Sequence, residues 1–179
     1  HEDIAYSYRT GNHGDGSWYS INGNIDYQRT SRKNKQRMIT FSYKINTQPQ
    51  TSNSNTGYED IHAKEEVDDL VKRLLLKNSQ SDGKTNTMEQ TFQVDYTTPI
   101  GELHTVEAGA KYIFRRNTSD NKLYEAAGGS DDYLYNEDRS SDYRHLNHIL
   151  AAYLGYTLKY KDFTFKPGVR YEQTVQRVK

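Results

Sequence analysis

The chain has 179 residues, a formal net charge of zero and no cysteine. That length suits one domain, a neutral chain has no electrostatic pull on nucleic acid, and the lack of cysteine removes disulfides, thiolate metal sites and cysteine nucleophiles. Hydrophobic residues make up only 33%, yet tyrosine occurs 16 times, and tyrosine favours strands. Strands with one apolar and one polar face fit such a composition, as in a barrel with lipid outside and a wet lumen inside. No run of about 18 apolar residues exists, so no transmembrane helix is expected. No signal peptide is visible, and the opening at His1 reads as an excerpt of a longer protein.

Strict alternation of apolar and polar residues recurs along the chain and predicts strands. The first run, 4–10, places Ile4, Tyr6 and Tyr8 on one face, and the Gly/Asn/Asp cluster 11–16 reads as a turn. Run two, 17–28, sets Tyr19, Ile21, Ile25 and Tyr27 against Ser20, Asn22, Asn24, Asp26 and Gln28. After the polar turn 29–35, run three, 36–46, sets Ile39, Phe41, Tyr43 and Ile45 against Thr40, Ser42, Lys44 and Asn46. Run four, 87–97, opposes Phe92, Val94 and Tyr96 to Thr91, Gln93, Asp95 and Thr97, and a tight Pro/Gly turn follows at 98–101. Run five, 103–116, aligns Val106, Ala108, Ala110, Tyr112 and Phe114; run six, 147–160, aligns Leu150, Ala152, Leu154, Tyr156 and Leu158. Lys161 and Asp162 turn the chain into run seven, 163–178, with Phe163, Phe165, Val169, Tyr171 and Val175 together.

Connections 29–35, 98–102 and 161–162 are short, whereas 47–86 and 117–146 are long. Short turns at one rim and long loops at the other are the pattern of an outer-membrane barrel. The expected fold is therefore all-β: an antiparallel up-and-down meander of about seven strands, part of a transmembrane β-barrel, with one short amphipathic helix in a long loop. Residues 1–179 read as a single barrel segment. The helix is expected over 63–77, where Val67, Leu70, Val71, Leu74 and Leu75 recur at helical spacing. Its acidic start (Glu65, Glu66, Asp68, Asp69) and basic end (Lys72, Arg73, Lys77) suit the helix dipole. Such a stripe is ordinarily buried, so the helix reads as packed on the barrel rim, with a ligand lid as the other reading.

Sites for chemistry are sparse. His145 and His148 are three apart in or near a strand and so face opposite ways, while His62 and His104 have no partner at ligand spacing, so no metal site is expected. The acidic loop with Asp131, Asp132, Asn136, Glu137, Asp138 and Asp142 lacks the spacing and central glycine of an EF-hand. Asp95, Glu107 and Glu172 are a conceivable carboxylate group, but nothing in sequence sets two of them at glycosidase separation. No nucleophile elbow, P-loop or dinucleotide fingerprint appears, so neither catalytic nor cofactor-binding residues are expected. The best ligand-contact candidates are Tyr124, Tyr133, Tyr135 and Tyr143, since loop aromatics stack on sugars and peptides; loops that merely pack together are the equal alternative.

Residues 91–174 carry a recognisable order of motifs: Phe92-Gln93-Val94-Asp95-Tyr96-Thr97-Thr98-Pro99, Glu107-Ala108-Gly109-Ala110-Lys111-Tyr112, Ala151-Ala152-Tyr153-Leu154, and Pro167-Gly168-Val169-Arg170-Tyr171-Glu172-Gln173-Thr174. Together they resemble the outer-membrane β-barrel family common in Bacteroidetes, relatives of TonB-dependent receptors, in which a DYT-P hairpin and a G-RYE-T strand occur in this order. The resemblance implies nutrient uptake by a larger parent with an N-terminal carboxypeptidase-like module, a plug domain and a barrel of about 22 strands. Its partners would be outer-membrane lipid, the rest of the barrel and, through the parent, the plug and the TonB system. No plug or TonB-box segment is identifiable here, and the family supplies no catalytic residues to carry over.

On that reading Ile21, Ile25, Phe41, Val94, Val106, Ala108, Leu150, Leu154 and Val169 face lipid. Tyr19, Tyr27, Tyr43, Tyr96, Tyr112, Tyr156, Tyr160 and Tyr171 lie toward the water interface, and Asn22, Asp26, Lys44, Asp95, Glu107, Lys111, Arg170 and Glu172 line the lumen. The alternative is a soluble antiparallel β-module binding carbohydrate or a protein partner, which requires a second sheet or the helix to cover the apolar stripes. Seven strands leave two unpaired edges, and such edges recruit further strands. The chain in isolation is therefore predicted to self-associate; a clean monomer on sedimentation in detergent-free buffer would contradict this.

Overall fold

A computed structural model describes residues 6–65 and 67–178; Ile4 and Glu66 lie outside the described residues. Eight strands form one antiparallel sheet: β1 (Tyr6–Trp18), β2 (Ile21–Thr30), β3 (Met38–Ala63), β4 (Lys77–Ile100), β5 (His104–Ala127), β6 (Leu134–Tyr160), β7 (Phe163–Phe165) and β8 (Gly168–Val178). The order runs β1-β3-β4-β5-β6-β7, with β2 also on β3 and β8 also on β6. No pairing among the described residues joins the two ends, so the sheet is open. The all-β antiparallel architecture is as expected, with eight strands rather than seven.

Several boundaries differ, each for a physical reason. The seventh run is divided into β7 and β8 at Pro167, which has no N–H to donate. Its carbonyl still accepts from Tyr156 N–H at 3.0 Å, so the chain stays on β6. The cluster 11–16 is strand, not turn: Gly11 to Gly16 pair residue by residue with Gly57 to Ser52 of β3. Residues 47–63 and 77–86, expected within one long loop, belong to β3 and β4, and much of 117–146 belongs to β5 and β6. These segments lack apolar alternation because both faces are polar. The backbone ladder holds them, aided by links such as Ser17–Thr51 and Ser81–Asn121, both 2.9 Å.

The chain divides into two compact units. The first draws on residues 6–19, 49–86 and 118–143 and includes the only helix among the described residues. That helix is shorter than 63–77: α1 spans Asp68–Leu70 and continues as a wider π-turn, Val71–Leu75, closed by Leu76 N–H on the Val71 carbonyl at 2.8 Å. From Lys77 the backbone is already committed to β4. The ion pairs Lys72–Asp68 and Arg73–Asp69, both 2.9 Å and four residues apart, fit the expected charge order. The stripe is not buried as a whole. Val71 is, but Leu70, Leu74 and Leu75 are exposed, because a single π-turn points only one of them inward.

Val71, Leu76 and Ala126 are the buried aliphatic side chains of this unit among the described residues. Gly128 ties the end of β5 to the π-turn, with its N–H on the Lys72 carbonyl at 2.8 Å. A Cβ on Gly128 would collide with the Leu76 carbonyl oxygen and the Ile61 side chain. Gly128→Ala is predicted to destabilise this unit by about 1–3 kcal/mol. Hydrogen exchange at Lys72, Leu76 and Gly128 should accelerate, while exchange in β2 stays unchanged.

Candidate functional site: the two faces of the strand array

The second unit draws on residues 20–48, 87–117 and 144–178. Facing residues in an antiparallel pair share a side of the sheet, so register assigns the faces. Ile25 lies opposite Tyr43 and Tyr27 opposite Phe41; Ala152 lies opposite Tyr171 and Leu154 opposite Val169. Between them on the other face, Asn24 pairs with Lys44, Asp26 with Ser42, Ala151 with Glu172 and Tyr153 with Arg170.

The apolar face is uncovered. Ile25 is 70% exposed, Val169 66% and Leu154 52%. Among the described residues the buried apolar side chains other than Pro99 are Val71, Leu76, Ala126 and Ala151, and of these four only Ala151 is in this unit. A domain built for water hides such side chains in a core; this unit turns them outward. A row of rings crosses the face, Tyr43–Phe92 at 4.8 Å, Phe92–Tyr112 at 6.4 Å and Tyr112–His148 at 6.2 Å. The tyrosine hydroxyls have polar partners, Gln90 for Tyr43 at 3.2 Å and His148 Nδ1 for Tyr112 at 2.8 Å. An aromatic body with a satisfied polar tip suits a membrane–water boundary.

Several ion pairs and hydrogen bonds tie the polar face together. Arg115 holds Glu89 through two nitrogens, at 2.8 and 2.6 Å. Arg170 bonds Glu172 at 2.7 Å, and Lys166 lies 3.4 Å from Glu107. The Tyr153 hydroxyl donates to Asp95, and its ring lies over Gly109, where any Cβ would collide. Tyr153 was missing from the sequence-based lumen set, although its position between Ala152 and Leu154 puts it on the polar side. Asp95, Glu107 and Glu172 thus bond to Tyr153, Lys166 and Arg170 respectively.

The four candidate tyrosines lie in the first unit and do not converge. The Tyr124 and Tyr135 rings pair at 5.6 Å. Tyr133 sits instead in a groove lined by His13, Asn55, Glu59, Asn78 and Asp131, with Gly11 and Gly57 beneath. Tyr143 lies farther along β6 and is exposed. Among the described residues no three His, Asp or Glu side chains gather at metal-ligand distance. In the acidic segment, Asn136 donates to Glu125 at 2.7 Å while its own oxygen accepts from Arg139 N–H at 3.1 Å.

Glu125 is the electrostatic centre of this unit. Arg139 reaches it at 2.6 Å and Lys77 at 3.6 Å. The Asn136 hydrogen bond, reinforced by Lys77 and Arg139 and opposed by burial, holds its carboxyl below the ordinary glutamate range. A depressed carboxyl stabilises the fold above its unfolded pKa, and that contribution disappears as pH falls through the folded value. Lowering the pH through the glutamate range is therefore predicted to speed hydrogen exchange across 125–139. Glu125→Gln should already exchange faster at neutral pH and show a flatter pH response; an unchanged response would refute the assignment.

No curated protein matches the chain by sequence. Solved structures similar to it include the ferric citrate transporter FecA in its unliganded form, 14% identical with a TM-score of 0.35. That alignment covers 98% of this chain but 31% of the transporter, so the chain spans about a third of its length. Such a likeness carries no functional argument. Residues 30–179 match the sequence family described as the outer membrane protein beta-barrel family, and with most of its length inside that match the chain belongs to this family.

Proposed function

We propose that the chain forms part of the wall and extracellular loops of an outer-membrane barrel that imports a nutrient in the manner of TonB-dependent receptors, without catalytic, metal or cofactor chemistry of its own. The family is one of outer-membrane barrels. The observation that carries the reading further is the division of the second unit into an uncovered apolar face and an ion-paired polar face. Backbone in hydrocarbon must satisfy its own hydrogen bonds, which a continuous antiparallel ladder does. The polar face then meets water, a transported solute or a plug. Contact with that solute by the paired rings of Tyr124 and Tyr135 is part of the same proposal. The soluble-module alternative requires a cover over the apolar stripes, and no observation supplies one.

The test is spin labelling at alternate positions over 106–115 of the complete protein in its membrane. Oxygen accessibility should peak at Val106, Ala108, Ala110 and Tyr112, with a water-soluble relaxant reaching Glu107, Gly109 and Lys111. Equal protection of the first set from both reagents would overturn the wall assignment. Import is checked separately by comparing accumulation of labelled solutes too large for general diffusion in cells with and without the protein; equal accumulation across the panel would remove the transport reading.

A further inference from the structure

The charges on the apolar face are distributed in a way that its family membership does not require. Extending the register along each strand, that face of the second unit carries no Asp or Glu among the described residues. Its charged residues are all arginines. Arg29 stands by the turn between β2 and β3, opposite Ile39. The other three stand at the opposite end. Arg177 of β8 lies opposite Leu146, and Arg144 is two residues beyond Leu146 on β6. Arg116 of β5 is two residues beyond Phe114, whose ring packs on His148 at 5.1 Å. All three therefore follow immediately after the ring row of Tyr43, Phe92, Tyr112 and His148, at the end of the strands away from the short turns.

These three arginines differ from those on the polar face. Arg115 and Arg170 are each bonded to a carboxylate. Arg144 and Arg177 are exposed, and their side chains make no hydrogen bond or ion pair among the described residues. Arg116 faces only a weak acceptor, the Met88 sulfur at 3.9 Å. An arginine without an anion beside an exposed apolar surface has an unused fork of donors, and that fork matches phosphate oxygens. Immediately below it, Leu150, Leu154 and Val169 offer apolar surface to acyl chains.

We propose that Arg116, Arg144 and Arg177 form a binding site for the phosphate groups of a phosphorylated, multiply acylated lipid of the outer leaflet. The ring row supports its glycerol or sugar backbone and the apolar face receives its chains. Outer-membrane barrels keep their short turns on the periplasmic side, so the end of this face away from the short turns meets the outer leaflet. Clustered basic residues at a lipid boundary recognise anionic headgroups, each charge adding modestly to the attraction. The inference rests on the wall assignment above, and the experiment separates the two.

The complete protein is purified from outer membranes in detergent, exchanged into micelles containing lipid A, and examined by native mass spectrometry. Bisphosphorylated lipid A should be retained over its dephosphorylated form by on the order of tenfold. The triple variant R116Q/R144Q/R177Q should lose that preference while still retaining the dephosphorylated lipid, and the corresponding triple Lys variant should recover part of it. Circular dichroism shows whether each variant remains folded. Equal retention of the two lipids by the unmodified protein, or an undiminished preference in the Gln variant, would overturn the inference. Retention of neither would overturn it together with the wall assignment. Millimolar inorganic phosphate should compete poorly; full displacement by phosphate alone would mark a simple anion site and also overturn the lipid reading.

Discussion

Everything in the second unit depends on the antiparallel register between neighbouring strands. In the β2–β3 pair, Tyr27 meets Phe41 and Ile25 meets Tyr43 on one side, while Asp26 meets Ser42 on the other. A slip of one residue would exchange the two sides and drive Asp26 and Lys44 into the apolar face. The same constraint operates between β6 and β8, where Leu154 faces Val169 and Tyr153 faces Arg170. The ladder thus satisfies the backbone polar groups, which hydrocarbon demands, and also sorts side chains by solvent.

The two units solve the folding problem with different means. In the second, Tyr153 interlocks with Gly109 and donates to Asp95, and Arg115 clamps Glu89, so adjacent strands are tied through the polar side. The apolar side is left exposed. In the first unit neither side of the strands is apolar, and polar links substitute. Asn78 is buried, accepting from the Tyr58 N–H at 2.8 Å and donating to the Ser130 carbonyl at 3.1 Å. An unsatisfied amide there would be costly, so each such bond also fixes geometry. The cluster around Glu125 plays a similar part between β4, β5 and β6.

This division bears on function. A lipid-facing surface needs only to be apolar, continuous and correctly bordered, and its borders are where residue identity carries information. On the polar face Arg115 and Arg170 are engaged with carboxylates. The arginines at one border of the apolar face have no carboxylate partner among the described residues, which is why they attract a functional reading when Arg115 and Arg170 do not.

The amino-acid sequence by itself determined the faces of the second unit. Alternation with period two is a local property, so Ile25, Phe41, Val94, Leu150 and Val169 could be grouped without knowing any strand's partner. The division at Pro167 was also latent in local chemistry. Tertiary structure alone decided the first unit. Residues 11–16 and 47–63 have polar side chains on both faces, and only a facing strand, through backbone bonds that carry no side-chain signature, makes them sheet. The short π-turn at Val71–Leu75 likewise replaced a longer helix because β4 claims the backbone from Lys77 onward. Which side chains meet across strands, such as Tyr153 with Asp95 or Glu125 with Arg139, depends on stagger between distant segments, and no local pattern encodes that stagger.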